Sequence, residues 1–279
     1  MKPQRKLGLL VASMVCLVTL GWLGQSQASS LLFDRGLPVY NSTTNNLNGT
    51  TNPNRSNTAP GQTYGSSPPS TYWIGGDDFS IGHTGQSYHI DYALVWMTSG
   101  VLPGSPAPPS FVRILAGAAD RPLTEMTYFS PDSITPVQYS NGADYQRYPA
   151  GDWRQLWQIR VPINLGLEGG QKIRFFLDGL FLSSFDLNYH SPNLHASNAA
   201  LSNTTQDGAD NTFHWLTMIN GVPDSVYSQY NFNYGGIIGA DANIQIYGSE
   251  VPLPCALLLL GSGLAGLAGL RLRNKLKNL

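Results

Sequence analysis

His89-Ile90-Asp91-Tyr92-Ala93-Leu94-Val95-Trp96-Met97 carries the reading of the fold. Ile90, Tyr92, Leu94 and Trp96 recur at every second residue, the period at which side chains share one face of a pleated strand. β-Branched and aromatic residues dominate the stretch, and a Gly/Ser turn precedes it, so it predicts a half-buried strand.

The pattern repeats on both sides. Towards the N terminus, Tyr72-Trp73-Ile74 and Asp77 to Ile81 read as a strand broken at Gly75-Gly76. Towards the C terminus, a Pro-rich connection (Pro103 to Pro109) precedes Phe111 to Leu115. Leu123–Phe129 and Val137–Tyr139 are short, weaker strands. Trp153 to Ile163 puts Trp153, Gln155, Trp157, Ile159 and Val161 on one face. Lys172 to Leu182 sets Ile173, Phe175 and Leu177 against Phe176. Asn211 to Ile219 sets Phe213, Trp215 and Thr217 against His214, Leu216 and Met218. Ala242 to Tyr247 closes the series with Ile244 and Ile246 together. Short strands with turn signals between them and no internal repeat predict an all-β domain, an antiparallel β-sandwich of jelly-roll type.

Leu31 to Tyr40 reads as a short first strand that ends at Gly36 and Pro38. Asn41 to Ser70 is polar, with seven Asn between Asn41 and Asn57. Such a tract buries too little apolar surface to offset its ordering cost, so it reads as a long polar loop or tether. Asp186 to Asp210 reads as a surface loop with one helical turn near Ala199-Ala200-Leu201.

The net charge of −1 hides an asymmetry. Three of the sixteen basic residues lie in 1–28 and four in 251–279, while all seventeen acidic residues lie between, leaving a body charge of −8. An acidic body argues against nucleic acid or polyanionic sugars held by charge. The two cysteines, Cys16 and Cys255, sit in the hydrophobic ends. The 222 residues from Ser29 to Glu250 therefore hold no disulfide, no thiol nucleophile and no zinc-thiolate site, and must rely on a core.

Residues 1–28 read as a signal peptide with a helical apolar stretch. Lys2, Arg5 and Lys6 precede an apolar run from Leu7 to Leu23, and Ser26-Gln27-Ala28 places small residues before a cut between Ala28 and Ser29. The partners implied are the Sec export machinery and signal peptidase. At the other end, Val251-Pro252-Leu253-Pro254 halts the last strand, because two prolines remove two backbone donors. The 17 residues Pro254–Leu270 carry no charge and read as a short membrane-spanning helix. Arg271, Arg273, Lys275 and Lys277 form a basic end expected on the cytoplasmic side of the membrane.

A short Pro motif, a Gly/Leu-rich helix and a basic end, in that order at 251–279, resemble a PEP-CTERM sorting signal, the tail read by the membrane cysteine protease exosortase. Leu253 departs from the family's Glu at that position, and Cys255 is less usual. A plain C-terminal anchor is the alternative. Leu31 to Pro38, a variable polar stretch, Asp77 to Ile81 and the following Val/Trp-rich strand are also similar to the start of many PEP-CTERM ectodomains. The resemblance implies an exosortase-type protease as partner, a transient inner-membrane anchor, and a final place at the cell surface or in an extracellular matrix with exopolysaccharide.

Sites of chemistry are sparse. The chain has no nucleophile elbow, His-Glu-x-x-His, phosphate loop or dinucleotide fingerprint, so no catalytic residue and no cofactor is nominated. Asp77 and Asp78 are adjacent in a strand, which predicts that they point to opposite faces and do not converge on an ion. Asp207 and Asp210 form a better oxygen-rich turn for Ca²⁺, set against a plain Asx turn. His190 and His195 are expected in solvent. Trp73, Trp96, Trp153, Trp157 and Trp215 are expected to fill the core. The candidate ligand rim is Tyr227, Tyr230, Phe232 and Tyr234. Two functions stay open: a non-enzymatic surface protein, structural or carbohydrate-binding, and an exported hydrolase acting on polysaccharide.

Overall fold

A computed structural model describes residues 28–38, 57–60, 62–64, 71–101, 112–138, 145–147, 153–178, 193–196, 212–229 and 241–251. Strands β1 (Ser30–Asp34), β2 (Asn57–Pro60), β3 (Gln62–Tyr64), β4 (Thr71–Ser80) and β5 (Ser87–Val101) come first. After β6 (Arg113–Ala118), a 3-10 turn (Leu123–Glu125) leads to β7 (Thr127–Phe129), β8 (Ser133–Val137), β9 (Tyr145–Arg147), β10 (Trp153–Glu168) and β11 (Lys172–Asp178). The last four are β12 (Asn193–Ala196), β13 (Phe213–Ile219), β14 (Val222–Gln229) and β15 (Ile244–Glu250).

The described residues are all-β, as the alternation predicts. One sheet runs β1-β15-β5-β10-β8, with β12 and β2 attached through β5 and β9 through β10. The other runs β14-β13-β4-β11-β6-β7, with β3 on β4. The register of each pair is antiparallel. Both sheets feed one core: Phe33, Ile90, Val95, Trp157 and Ile159 from the first meet Phe79, Ile114, Ile173, Phe175 and Trp215 from the second. Burying each such side chain contributes roughly 1.5–3 kcal/mol. Ile74, Leu115, Phe176, Leu216 and Met218 form a separate cluster, so β11 and β13 divide their faces as their alternation predicts.

Five local expectations change. The break at Gly75-Gly76 is absent, since β4 runs through both glycines. Gly76 serves a close approach instead: a Cβ there would lie 2.0 Å from the Phe175 carbonyl oxygen. Ile90 does not share a face with Leu94 and Trp96. Ile90 lies in the main core with Ala93, Val95 and Met97, whereas Leu94 and Trp96 pack with Leu156 and Val137. This one-residue shift stands opposite a register irregularity between Pro162 and Leu165, where Asn164 has a φ of 49°.

The expected loop 186–210 contains β12, which pairs with β2 and β5 and buries Leu194 and His195 completely. Within the polar tract 41–70, β2 and β3 pair with β12 and β4. Leu123–Glu125 is a 3-10 turn, so that strand shortens to β7. The signal helix within 1–28, apart from Ala28, and the membrane helix over 254–270 lie outside the described residues. Among the described residues, no helix is long and apolar enough to cross a membrane.

Candidate functional site

Arg35 follows β1 directly and is wholly buried. Its Nη1 donates to Asp77 Oδ2 at 2.6 Å, and its Nη2 to the Asp78 carbonyl at 2.8 Å. The same Nη1 lies 3.7 Å from Asp241 Oδ1. Its backbone N–H donates to the Ile244 carbonyl at 3.0 Å. Asp77 also accepts from the Ala242 N–H and, at 2.7 Å, from the Asp78 N–H. Asn243 Nδ2 donates to the carbonyls of Arg35 (3.3 Å) and Gly36 (2.9 Å). Asn243 Oδ1 lies 2.7 Å from His195 Nδ1, and the Asn243 N–H donates to the His195 carbonyl at 2.9 Å.

A second group adjoins the first. Asp78 Oδ2 is 2.8 Å from His214 Nε2 and 3.1 Å from Lys172 Nζ. Arg35, Asp77, Asp78, His195, His214, Asp241 and Asn243 are all buried, and Lys172 alone is open to water. The network thus joins residues of β4, β11, β12 and β13 to the end of β1 and the approach to β15.

The two neighbouring aspartates are pushed apart in acidity. Burial drives the Asp77 carboxyl well above the usual carboxylate range, and Asp241 adds to this against the pull of Arg35 and two backbone donors. Burial also raises Asp78, but the hydrogen bonds and charges of His214 and Lys172 outweigh it and hold Asp78 below its ordinary value. Burial lowers the Arg35 guanidinium, and Asp77 and Asp241 more than restore it, so it stays charged.

One ligand atom from each of Asp77, Asp78 and His214 lies within 4.8 Å of the others. The two carboxylates do turn to different partners, as their alternation predicts, yet their oxygens stay closer than that argument allows. The trio still makes a poor cation centre. Arg35 already occupies Asp77, Lys172 already occupies Asp78, and His214 Nε2 is committed to Asp78. A divalent ion there would face two resident positive charges. The chemistry that fits is an ionic lock between distant parts of the chain.

The core cavity offers no alternative. It holds about 30 Å³ between the sheets and is lined by apolar residues such as Phe79, Val95, Ile114, Val161, Phe175 and Ile246. That is room for about one small group, without the convergent polar atoms a substrate site uses.

The structure redistributes the residues singled out from the sequence. Trp96, Trp157 and Trp215 are core residues, and Trp73 packs against the same core. His195 is fully buried instead of solvated, because Asn243 satisfies both its ring nitrogen and its carbonyl. Tyr227 belongs to β14, opposite Trp215, and not to a loop. Tyr230, Phe232, Tyr234, Asp207, Asp210, His190 and Trp153's side chain lie outside the described residues. So do Pro252, Leu253, Pro254, Arg271, Arg273, Lys275 and Lys277. Ala28 and Ser29 are exposed, with the Ser29 hydroxyl donating to Asp91 Oδ2, and Val251 is exposed just past β15. Sequence reasoning missed Arg35, Asp241 and Asn243. The one available signal was a lone Arg in an apolar first strand, within the two stretches Leu31–Pro38 and Asp77–Ile81 that the lock now joins.

Comparison with known protein families, with curated proteins and with solved structures finds no match to this chain.

Proposed function

We propose that this chain is an exported surface or extracellular-matrix protein, sorted through its C-terminal signal, with a non-enzymatic β body. The observation that carries the reading is the order of parts at 251–279: Val251-Pro252-Leu253-Pro254, an uncharged Gly/Leu-rich run, then Arg271, Arg273, Lys275 and Lys277. The body is a jelly-roll-type sandwich in this reading, supported by two antiparallel sheets on one core. Val251, directly after β15, is exposed, which supports a tail that a membrane protease reads. The tail anchors the chain transiently in the inner membrane, and an exosortase-type protease removes it. Contact with exopolysaccharide falls to aromatic side chains of 227–234, since three of the tryptophans are consumed by the core.

The test replaces Pro252 and Pro254 together with alanine. Tail removal should stop, so that protein recovered from outer fractions keeps the mass of residues 255–279; normal processing in the double variant would refute the sorting reading. A glycan array probed with the exported protein should show binding without turnover.

One observation favours a second reading, the exported hydrolase. Asp78 and His214 form an acid–base pair on adjacent strands, and Ser228 stands opposite His214 in the register of β13 and β14. The pair is buried, and Asp78 is shared with Lys172, which favours the structural role. Covalent labelling of Ser228 by a fluorophosphonate would reverse that preference.

A further inference from the structure

We infer that β1 is a strap that docks last, after residues 241–248 have arrived, and that Arg35 enforces this order. Strand β1 lies at the end of its sheet, and its partner among the described residues is β15. Ser30 stands opposite Gly248, a separation of 218 residues. Strand β15 itself lies between β1 and β5, so β1 has no ladder to join until the last strand is in place.

Arg35 sharpens this order beyond topology. Its backbone N–H and carbonyl, and the Gly36 carbonyl, are satisfied by Ile244 and Asn243. Its guanidinium sits between Asp77, from the middle of the chain, and Asp241, from near its end. Docking before residue 241 arrived would bury a guanidinium with half its acidic partners and strand two backbone carbonyls. Unpaired buried groups of that kind are strongly disfavoured, so the early strap stays in water. Once 241–244 arrive, the same groups hold it, and Phe33 packs beside Phe79 with ring centroids 5.5 Å apart.

For an exported chain the order has a consequence, which rests on the export reading above. Chain emerging N terminus first keeps 29–36 extended and unpaired through translocation, so the Ala28–Ser29 junction is open to signal peptidase. After docking, Ser29 is tied to Asp91 and Ser30 enters the ladder opposite Gly248.

Pulse-labelled hydrogen exchange on the full chain, refolded from urea into detergent micelles, tests the order directly. Amides of 31–34 should gain protection no earlier than those of 245–248 and later than those of 93–97 and 157–161; protection at 31–34 ahead of 245–248 overturns the order. Protection at 31–34 that arises with or before 93–97 overturns the proposal. In Arg35→Met, native exchange at 31–34 should speed up by at least about tenfold while 93–97 keeps its protection; unchanged exchange at 31–34 removes Arg35 from the argument. If that variant does not fold, the order measured in the unaltered chain still decides. A mature N terminus other than Ser29 would strike the export reading and leave the docking order standing. Early docking would do the reverse.

Discussion

Asp77 and Asp78 are adjacent in β4, both buried, and their surroundings push their acidities in opposite directions. Each direction makes a stability statement through linkage. The Asp77 carboxyl is raised above its ordinary 3.8, mainly by burial. The folded protein therefore binds that proton more tightly than the unfolded chain. Its contribution is complete at low pH and is lost as pH rises through the folded-state value. The charge of Asp241 adds to the rise, against the pull of Arg35. Asp78 ends below its ordinary 3.8, because His214 and Lys172 outweigh burial. Its contribution is complete above 3.8 and is lost as pH falls through the lower folded-state value. Urea midpoints measured across pH should therefore decline on both sides. Asp77→Asn should flatten the alkaline-going decline, and Asp78→Asn the acid-going one; a variant with the wild-type slope on its own side would contradict the assignment. Neither direction was legible in the sequence, where Asp77-Asp78 is a pair of identical residues whose partners lie up to 165 residues away.

At the scale of elements, alternation told the truth wherever a strand was regular. It placed Ile173, Phe175 and Leu177 against Phe176, and Trp215 against Leu216 and Met218, as found. It failed where the ladder is irregular: the inward set of β5 moves by one residue between Ile90 and Ala93, which no residue within β5 announces. It failed again at β12, because composition marks a strand's solvent-facing polar residues and cannot show that His195 has a buried partner in Asn243. Gly76 is the sharpest case, since a glycine pair reads as a break and is instead the point where β11 crowds β4. Gly76→Ala should cost about 1–3 kcal/mol or more, because the new methyl meets backbone that cannot step aside. Chemical denaturation checks this, and a change below about 0.5 kcal/mol would mean that β4 and β11 separate easily there. Asn164 offers a contrast: its positive φ suits Asn or Gly, so Asn164→Gly should be nearly neutral while Asn164→Val should cost about 1–3 kcal/mol. Equal costs for the two would show that the irregularity in β10 is not held by that backbone conformation.

For the whole molecule, stability has to come from the shared core and the ionic lock, since no cysteine lies between Ser29 and Glu250. Reductant should leave the unfolding midpoint unchanged, and tryptophan fluorescence should follow circular dichroism through one transition, because Trp96, Trp157 and Trp215 are built into the packed sheets. Two separated transitions would mean that the sheets do not share one cooperative core. Period, composition and charge are local and survive without a partner, so they alone establish the all-β class, the interior faces of the regular strands, the cysteine-free body and the chemical character of both ends. Long-range packing is what makes β1 and β15 neighbours, carries β4 through its glycines, and gathers Arg35, Asp77, Asp78, Asp241 and Asn243 into one buried centre. The reason is physical: a buried charge is stable only beside its partners, and which residues those are depends on strand order and register across more than 200 residues.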